Sequence, residues 1–356
     1  MGSGEVDASR RILASRRRLY PPPADSYRSG LRTVIDVFSR SVIGSKWFPR
    51  HAFNEIPSWR ECGGRYTAKP MQRPFGIFSS FLQRGAEFVV NLRSEREIAA
   101  MRRAGLVVWG AHQLALSLVR PGVTTGEMDR AIEQFFLDHS AVPLFKGVPG
   151  KVPFPAVCCM SVNEEVVHGI PSDRVLLAGD IVSIDTGCSV GGWCGDSAVT
   201  YPVGEIDADV QRLLDCTSGV LALAIQLMAT RNRWSDVATE MAKFVRDYGF
   251  TVVENFVGHG IGRKMHEDPQ VPNFCTPSFR RNHDFELESG LVIAVEPMVN
   301  MGSKKVRALP DHWTQSTVDG RPSAHFEHTV ALTENGPVVL TAGPAAGDAS
   351  ATEALV

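Results

Sequence analysis

The strongest constraint on the fold is the run of residues 179–204, GDIVSIDTGCSVGGWCGDSAVTYPVG, in which two β-like segments flank a glycine-rich turn. This pattern predicts a β-hairpin. With a turn centred between Val190 and Gly191, Asp185 would lie directly opposite Asp196 on one face. Like charges at Cβ separations of about 4.5–5.5 Å are destabilising unless a cation lies between them. The hairpin therefore predicts a metal site, and the alternative is two exposed acids beside a turn.

Three later segments supply further candidate ligands. His259 lies among three glycines in GHGIGRKMHEDPQVP, Glu296 ends the apolar run LVIAV, and Glu327 lies in the strand-like HFEHTVAL. A buried carboxylate costs several kcal/mol unless it is paired or binds a cation. Four such carboxylates with one imidazole predict one or two divalent ions. An oxygen-rich set with one nitrogen suits Mn, Fe(II), Co or Zn and excludes a thiolate-type structural zinc site.

The remaining pattern predicts an α+β fold, with helices in pairs and strands in hairpins. An amphipathic helix begins near Glu95 and stops at Pro121, and Thr124 with Glu127 forms a capping box for the next helix. A third helix is predicted over about 210–228, and Ser235 is predicted to cap a fourth. The predicted strands cover 181–185, 198–203, 251–257, 292–296 and 326–332.

Composition excludes several function classes. A chain of 356 residues that is 44% hydrophobic and 21% charged can bury a large core. The best apolar runs fall well short of the roughly 18–20 residues that span a bilayer. The seven cysteines form no C-x-x-C pair, which favours a reduced intracellular compartment. Basic residues are not interleaved with aromatic residues in the body, so no nucleic-acid partner is expected.

The first part of the chain differs from the rest. Residues 1–50 hold nine Arg, one Lys and four acids, a net charge of +6 that leaves −8 for the remainder. We predict a flexible Arg- and Ser-rich extension over 1–80, a catalytic domain over 81–345 and a disordered tail over 346–356. The acid-poor stretch resembles a transit peptide for a mitochondrion or another organelle. The alternative is a disordered arm on a cytoplasmic protein.

Five ordered motifs carry a family resemblance. They are SVNEEVVHGIP (161–171), the Asp185/Asp196 spacing, GHGIGRKMHEDPQVP (258–272), VEPMVN (295–300) and FEHT (326–329). Over roughly residues 95–342 the chain resembles the methionine aminopeptidases of type I. The resemblance implies the pita-bread (creatinase/aminopeptidase) fold, a curved antiparallel sheet with helices on its outer face and two pseudo-symmetric halves.

The same resemblance implies an activity and a set of metal ligands. The activity is removal of the initiator methionine, by attack of a metal-activated hydroxide on the first peptide bond. Two divalent ions (Co, Mn, Fe or Zn) would be held by Asp185 on one side and by His259 and Glu296 on the other. Asp196 and Glu327 would bridge both ions, and Glu296 would also shuttle a proton.

The resemblance also implies substrate contacts. His168 and His266 match histidines that hydrogen-bond the scissile peptide, and a methionine pocket would be lined by Phe154, Cys159, Met265 and Trp313. Four positions depart from the family pattern: Lys151 and Val152 replace a Tyr-His pair, Met265 replaces Phe, and His325 replaces Gln. These departures bear on specificity and rate rather than on metal binding.

The expected partners are nascent polypeptide N-termini, with transient ribosome contact, no membrane and a monomeric state. Two other interpretations remain open. A proline-specific aminopeptidase or dipeptidase would share all five ligands, although VEPMVN and the compact catalytic region favour methionine removal. A pita-bread protein without metals could serve as a binding module on ribosomes or nucleic acid, but such a protein would be expected to lack ligands that are all present here.

Overall fold

The computed structural model describes residues 89–344. It confirms the α+β prediction. The helices are α1 Glu95–Leu118, α2 Thr125–Asp138, α3 Ala208–Met228, α4 Trp234–Asp247 and α5 Pro277–Asn282. The strands are β1 Val142–Pro143, β2 Cys158–Val162, β3 Glu165–Val167, β4 Ile181–Val190, β5 Trp193–Pro202, β6 Thr251–Val252, β7 Gly258–Gly260, β8 Glu267–Val271, β9 Val292–Val295, β10 Met298–Asn300, β11 Val306–Ala308, β12 Gln315–Thr317, β13 Ser323–His325, β14 His328–Thr333 and β15 Gly336–Val339. The predicted extension and tail lie outside the described residues, and the predicted domain boundaries stay predictions.

Capping boxes begin the first two helices. Thr124 Oγ1 accepts a hydrogen bond from the Glu127 backbone N–H, and the Glu127 carboxylate accepts one from the Thr124 backbone N–H. The predicted cap at Ser235 is wrong, because α4 begins at Trp234 and its N-cap is Arg233, two residues before Ser235. Ser235 lies inside the first turn, where its backbone N–H donates to Asp284 Oδ1 at 2.9 Å. A carboxylate from another segment thus satisfies the group that a cap would serve.

Every strand pair among residues 89–344 is antiparallel. β4 pairs with β5 along its whole length and with β2 and β1 along its other edge, and a five-stranded sheet has the order β15-β14-β9-β7-β8. Two three-stranded sheets have the orders β13-β10-β6 and β11-β12-β3. The predicted strand over 251–257 is shorter in the structure, where β6 ends before a bend at Glu254. Within residues 89–344, no helix has the length and apolar character that crossing a membrane requires.

The hairpin of β4 and β5 has a tighter turn than predicted. Val190 pairs with Trp193, so Gly191 and Gly192 alone form the turn. Both glycines have positive φ, 58° and 75°. Two consecutive left-handed residues make a turn whose twist matches that of the flanking strands, and Gly-Gly is a favoured pair there. The predicted turn centre is therefore displaced by one residue.

This displacement corrects the predicted pairing of the two aspartates. Asp196 lies opposite Gly187, and Asp185 lies opposite Ala198, so the acids are diagonal neighbours rather than a directly opposed pair. Side chains alternate between faces with a period of two. The register changes by two positions, so both carboxylates remain on the same face, as predicted.

Strand β5 is joined to the segment that precedes β14. The backbone N–H of Glu327 donates to the Ala198 carbonyl at 2.8 Å, and Ser197 Oγ donates to the Glu327 carbonyl at 2.7 Å. Thr329 Oγ1 accepts from the Asp196 backbone N–H at 3.0 Å and donates to the Asp196 carbonyl at 2.8 Å. These bonds place Asp196 beside Glu327.

Candidate metal centre

The structure brings all five predicted metal ligands to one place. Ligand atoms of Asp196, His259 and Glu327 lie within 4.8 Å of one another. Glu296, which follows β9, has its Oε1 3.7 Å from His259 Nε2. Asp185 on β4 is close enough that the charges of Asp196 and Glu296 raise the pKa of its carboxyl group further, after burial. The structure thus shows that the five side chains lie close together. That they bind metal stays a prediction.

The carboxylates at this centre are buried without a basic partner. Asp196 is 3% exposed and Glu327 is 2% exposed. No Lys or Arg of residues 89–344 forms an ion pair with any of the four acids. Burial raises the pKa of Asp196 to about 7, and burial with the neighbouring carboxylates raises the pKa of Glu327 well above its usual range. Without a cation, the fold therefore favours protonated acids here.

Three carboxylate oxygens fit a cation. Asp185 Oδ1, Asp196 Oδ1 and Glu327 Oε1 are buried and accept no hydrogen bond. Buried polar atoms normally have partners, so three orphans on converging acids indicate a ligand. The absence of a side chain at Gly187 leaves space beside the Asp196 carboxylate, because a Cβ at position 187 would lie 2.9 Å from Asp196 Oδ1. This oxygen-rich set with one imidazole fits the divalent ions predicted from the sequence.

The imidazole of His259 has one ring nitrogen available to a metal. Its Nδ1 lies 2.9 Å from the Gly260 carbonyl, which can only accept, so Nδ1 carries the proton. The second nitrogen, Nε2, faces Glu296. Burial, and then the nearby His266, lower the pKa of His259 to about 3, so the ring is neutral. A neutral imidazole with one nitrogen fixed by a backbone carbonyl is the usual state of a metal-binding histidine.

Three more imidazoles surround the centre. The His266 ring lies 4.3 Å from the His259 ring, centroid to centroid. His168 has a positive φ of 61°, which is uncommon for a residue other than glycine, and its ring lies 6.3 Å from that of Trp313. Burial lowers the pKa of His168 to about 4. His325 places its Nε2 3.7 Å from Glu296 Oε2, outside hydrogen-bond distance, and that nitrogen has no hydrogen-bond partner.

The predicted pocket residues form one apolar cluster beside the centre. Phe154, Cys159 and Trp313 pack together with Phe145 and Ala156, and Met265 contacts this group. The Trp313 ring meets Phe154 edge-on at 5.2 Å, and its Nε1 donates to the Val152 carbonyl at 2.7 Å. Cys159 pairs with Asp185 across β2 and β4, so the cluster adjoins the carboxylates.

Comparison with known proteins places the chain in a family. Residues 99–334 match the model of metallopeptidase family M24. A methionine aminopeptidase of Clostridium perfringens is 46% identical over 253 residues, which cover 71% of this chain and 99% of that protein. The chain belongs to the methionine aminopeptidases of family M24. It has the pita-bread fold that the resemblance implied.

Solved structures agree with this placement. The crystal structure of a methionine aminopeptidase from Thermotoga maritima matches with a TM-score of 0.67 and 40% identity, covering 71% of this chain and 99% of that one. A prolidase from Pyrococcus furiosus matches with a TM-score of 0.55 and 18% identity, covering 71% of this chain and 66% of that chain, which shows a shared fold alone. The higher identity therefore lies with the methionine aminopeptidases.

Some residues that shape this M24 centre were missed from the sequence. Gly187 leaves the space opposite Asp196, while Ser197 and Thr329 fix the backbones that carry the two predicted bridging acids. The Gly-Gly turn was a usable signal for Gly187, because it sets the register. The Ser197 and Thr329 bonds join segments more than 100 residues apart, and no local pattern predicts them.

Proposed function

We propose that this chain is a metal-dependent methionyl aminopeptidase that removes the initiator methionine from nascent proteins and peptides. The observation that carries the proposal is the convergence of four buried carboxylates and one imidazole beside an apolar cluster. The centre supplies the negative charge that holds divalent ions, and the cluster supplies a site for an unbranched apolar side chain. The close methionine aminopeptidase relatives support the same activity.

In this proposal the five ligands hold two ions. Asp185 would help to hold one ion, His259 and Glu296 would help to hold the other, and Asp196 and Glu327 would contribute to both. When bound, such ions lower the pKa of water and stabilise negative charge on a substrate oxygen. The three unpartnered carboxylate oxygens support this assignment, because each has a free lone pair inside the centre. The identity of the ions, among Co, Mn, Fe and Zn, is left to metal analysis.

The surrounding side chains bind the peptide and move protons. Burial lowers the pKa of His168 to about 4 and also lowers the pKa of His266, which favours the neutral form of each ring. A neutral imidazole can donate one hydrogen bond and accept another, which suits contacts with the scissile peptide. Burial, and then the charge of Asp196, raise the pKa of the Glu296 carboxyl group. Bound cations would offset this shift, so the transfer of a proton to the leaving amine is assigned to Glu296 on the family resemblance.

The apolar cluster is assigned to the methionine side chain. Aromatic edges and a thiol make favourable contacts with a thioether sulfur. Burial raises the pKa of the Cys159 thiol well above its usual range, so the group stays neutral and adds no charge to the pocket. We expect a preference for substrates whose first residue is methionine and whose second residue is small.

Chelation tests the metal-dependent activity. Release of methionine from a Met-Ala-Ser peptide should stop in excess chelator and return on addition of Mn or Co. Metal analysis of the restored protein should give two ions per chain, and a peptide panel that varies the first residue should favour methionine. Full activity in excess chelator would end the metal assignment, and cleavage of Xaa-Pro peptides in preference to Met-Ala-Ser would favour a proline-specific enzyme.

Three finer parts of the proposal concern the protein in the cell. We propose a monomer that meets nascent N-termini with transient ribosome contact. Import into a mitochondrion or another organelle rests on the composition of residues 1–80, which lie outside the described residues, and the alternative is the cytoplasm. A reporter fused to residues 1–80 should enter an organelle. A reporter that stays wholly cytosolic would contradict import.

A further inference from the structure

We propose that Arg93 and Glu267 form a brace that positions His266, which makes the residues ahead of α1 part of the active-site frame. The brace joins three segments: 91–93, the loop 261–266 between β7 and β8, and the turn of the β4–β5 hairpin. Neither Arg93 nor Glu267 is assigned a contact with substrate or metal. They are positioning residues, and the inference rests on the proposed function.

The Glu267 carboxylate closes the loop that carries His266. Its Oε1 accepts hydrogen bonds from the backbone N–H groups of Arg263, at 2.9 Å, and Lys264, at 3.0 Å. A further bond from the Gly262 backbone N–H to the Lys264 carbonyl, at 3.0 Å, tightens the same loop. The carboxylate thus fixes the backbone two and three residues before His266.

Arg93 holds the other oxygen of that carboxylate. Its Nη2 forms an ion pair with Glu267 Oε2, and the side chains are only 12% and 11% exposed. The Asn91 side-chain amide donates to the same oxygen at 3.3 Å. The Arg93 backbone N–H donates to the Gly290 carbonyl at 2.7 Å, so the arginine is fastened at its main chain as well. A largely buried ion pair of this kind is rigid and weakly screened by solvent.

The loop and the guanidinium are in close contact at Gly262. A Cβ at position 262 would lie 2.2 Å from Arg93 Nη2, so only glycine allows this approach. The Gly262 carbonyl accepts a hydrogen bond from the Cys194 backbone N–H at 2.9 Å. Because Cys194 lies two residues before Asp196 on β5, the brace connects the His266 loop to the strand that carries a predicted metal ligand.

Trp193 completes the brace. The Arg263 guanidinium lies 3.8 Å from the centroid of its ring, and the Arg93 guanidinium lies 5.5 Å from it. Arg263 Nη1 also donates to the Gly192 carbonyl at 3.2 Å. Cation–π contacts of this kind hold guanidinium groups against an aromatic ring. The hairpin turn, the loop and the segment before α1 are therefore held in one arrangement.

This arrangement has a consequence for His266. The residue directly precedes Glu267 in the chain, and its ring lies 4.3 Å from that of His259. A displacement of the Glu267 backbone is transmitted to His266 first. Misplacement of a catalytic group by about 1 Å can lower a rate by about 100-fold. Most of the pocket for the methionine side chain is built by β2 and the segment around Trp313, and Met265 is its one member from this loop, so substrate binding should be less affected than turnover.

Asp284 offers a matched control. Its Oδ1 accepts from the backbone N–H groups of Ser235 and Phe285, at 2.9 and 3.0 Å, and Arg233 Nη1 lies 3.3 Å from its Oδ2. This is the same combination of one carboxylate, two backbone donors and one arginine. None of its recorded partners belongs to the centre or the apolar cluster. A purely structural role for Glu267 would make Glu267→Gln and Asp284→Asn behave alike.

The test compares full-length variants in the metal-loaded state with Met-Ala-Ser as substrate. For Glu267→Gln and Arg93→Gln we expect kcat to fall by about 10- to 100-fold with KM changed by less than about 3-fold. Arg93→Lys, which keeps the charge that pairs with Glu267, should recover kcat to within about 3-fold of wild type. Asp284→Asn should lower the melting temperature while leaving kcat unchanged. Equal kcat losses in Glu267→Gln and Asp284→Asn, or unchanged kcat in Glu267→Gln, would overturn the inference.

A second measurement does not depend on activity. Hydrogen–deuterium exchange of the full chain should show faster exchange at residues 261–267 in Arg93→Gln than in wild type, and near wild-type exchange in Arg93→Lys. Unchanged exchange at 261–267 in Arg93→Gln would contradict the brace. Wild-type protein that releases no methionine under any metal condition would instead refute the proposed function, and the exchange data would still decide the brace.

Discussion

Two regions of this protein bury carboxylates, and they differ in whether the chain provides partners for the negative charge. At the start of α4, Asp284 has a side chain only 3% exposed, and it accepts two backbone hydrogen bonds and faces Arg233. At the metal centre, Asp196 and Glu327 are equally buried, and each has a carboxylate oxygen with no partner. The first region is satisfied by the chain itself, and the second is completed by something that the chain binds.

This difference indicates how each region affects the stability of the fold and the binding of cations. A buried carboxylate with donors around it stabilises the fold, whereas a buried carboxylate beside others of like charge destabilises it until a cation arrives. The raised pKa of Asp196 and Glu327 is the electrostatic form of this cost. The acids at the centre lower the stability of the metal-free protein, and the same acids provide affinity for divalent ions.

The largest effect should come from removing charge at the centre. In Asp196→Asn or Glu327→Gln, turnover should fall by more than about 1,000-fold, because each variant alters a proposed bridge between the ions. The metal-free form should be at least as stable as the wild type, because one of several repelling acids has become neutral. Steady-state kinetics and thermal melts of metal-free protein measure both. Near-normal turnover in either variant would refute the assignment.

The pH dependence of stability sharpens the same comparison. Without metal, the pKa of Asp196 in the folded protein is about 7, which is above its usual value in an unfolded chain. The contribution of Asp196 to the free energy of unfolding is therefore fully present below about pH 4 and is lost as the pH rises to about 7. Buried histidines such as His168 have lowered pKa values and contribute with the opposite sign. The informative quantity is therefore the difference between wild type and Asp196→Asn.

In chelator, the melting temperature of Asp196→Asn should exceed that of wild type by an amount that grows between pH 4 and pH 7, reaching several degrees. Differential scanning fluorimetry at closely spaced pH values measures this. A constant difference across the range would show that Asp196 does not titrate there. Saturating metal should reverse the order, because only the wild type retains the full ligand set.

A smaller effect is expected where the chain satisfies its own acid. Asp284→Asn removes the charge beside two backbone donors and Arg233, which should lower the free energy of unfolding by about 1–2 kcal/mol. Turnover per folded molecule should not change. Chemical denaturation measures the change in the free energy of unfolding, and kinetics normalised to the concentration of folded enzyme measure the turnover. A loss of turnover with unchanged stability would show that the start of α4 communicates with the centre.

The smallest effect is expected at His325, a position where the family resemblance predicts Gln. Its Nε2 is 3.7 Å from Glu296 Oε2 and makes no hydrogen bond, so His325→Gln removes no bond at that nitrogen. Turnover should change by less than about 3-fold, since rates follow lost transition-state interactions. Metal titration by calorimetry provides a second measurement. A change above tenfold in turnover or metal affinity would place His325 within the centre.

The sequence predicted the hairpin, the face shared by Asp185 and Asp196, and the helices that begin at capping boxes, because these depend on local patterns. It predicted the wrong pairing of the two acids, because the turn was placed one residue early. The Gly-Gly pair at 191–192 was the decisive signal, since both residues adopt positive φ. The observed register differs from the predicted one by two positions. Asp185 and Asp196 therefore have other cross-strand partners than predicted, but they remain on the same face of the hairpin.

Other features could not be predicted locally. The bond between Ser197 and the Glu327 carbonyl, and the ion pair between Arg93 and Glu267, join residues 130 and 174 positions apart. No local pattern singled out Glu267, and only the fold shows that its carboxylate accepts two backbone hydrogen bonds. The cap predicted at Ser235 failed for the same reason, because Asp284 supplies the acceptor from a distant segment.

The joining of β5 to the segment around Glu327 has a consequence for biosynthesis. Asp185 and Asp196 lie 11 residues apart, whereas Glu327 follows Asp196 by 131 residues. A growing polypeptide therefore lacks part of the predicted ligand set until the segment with Glu327 has been made. An enzyme of this kind would become competent only after the segment with Glu327 has been made and has joined β5.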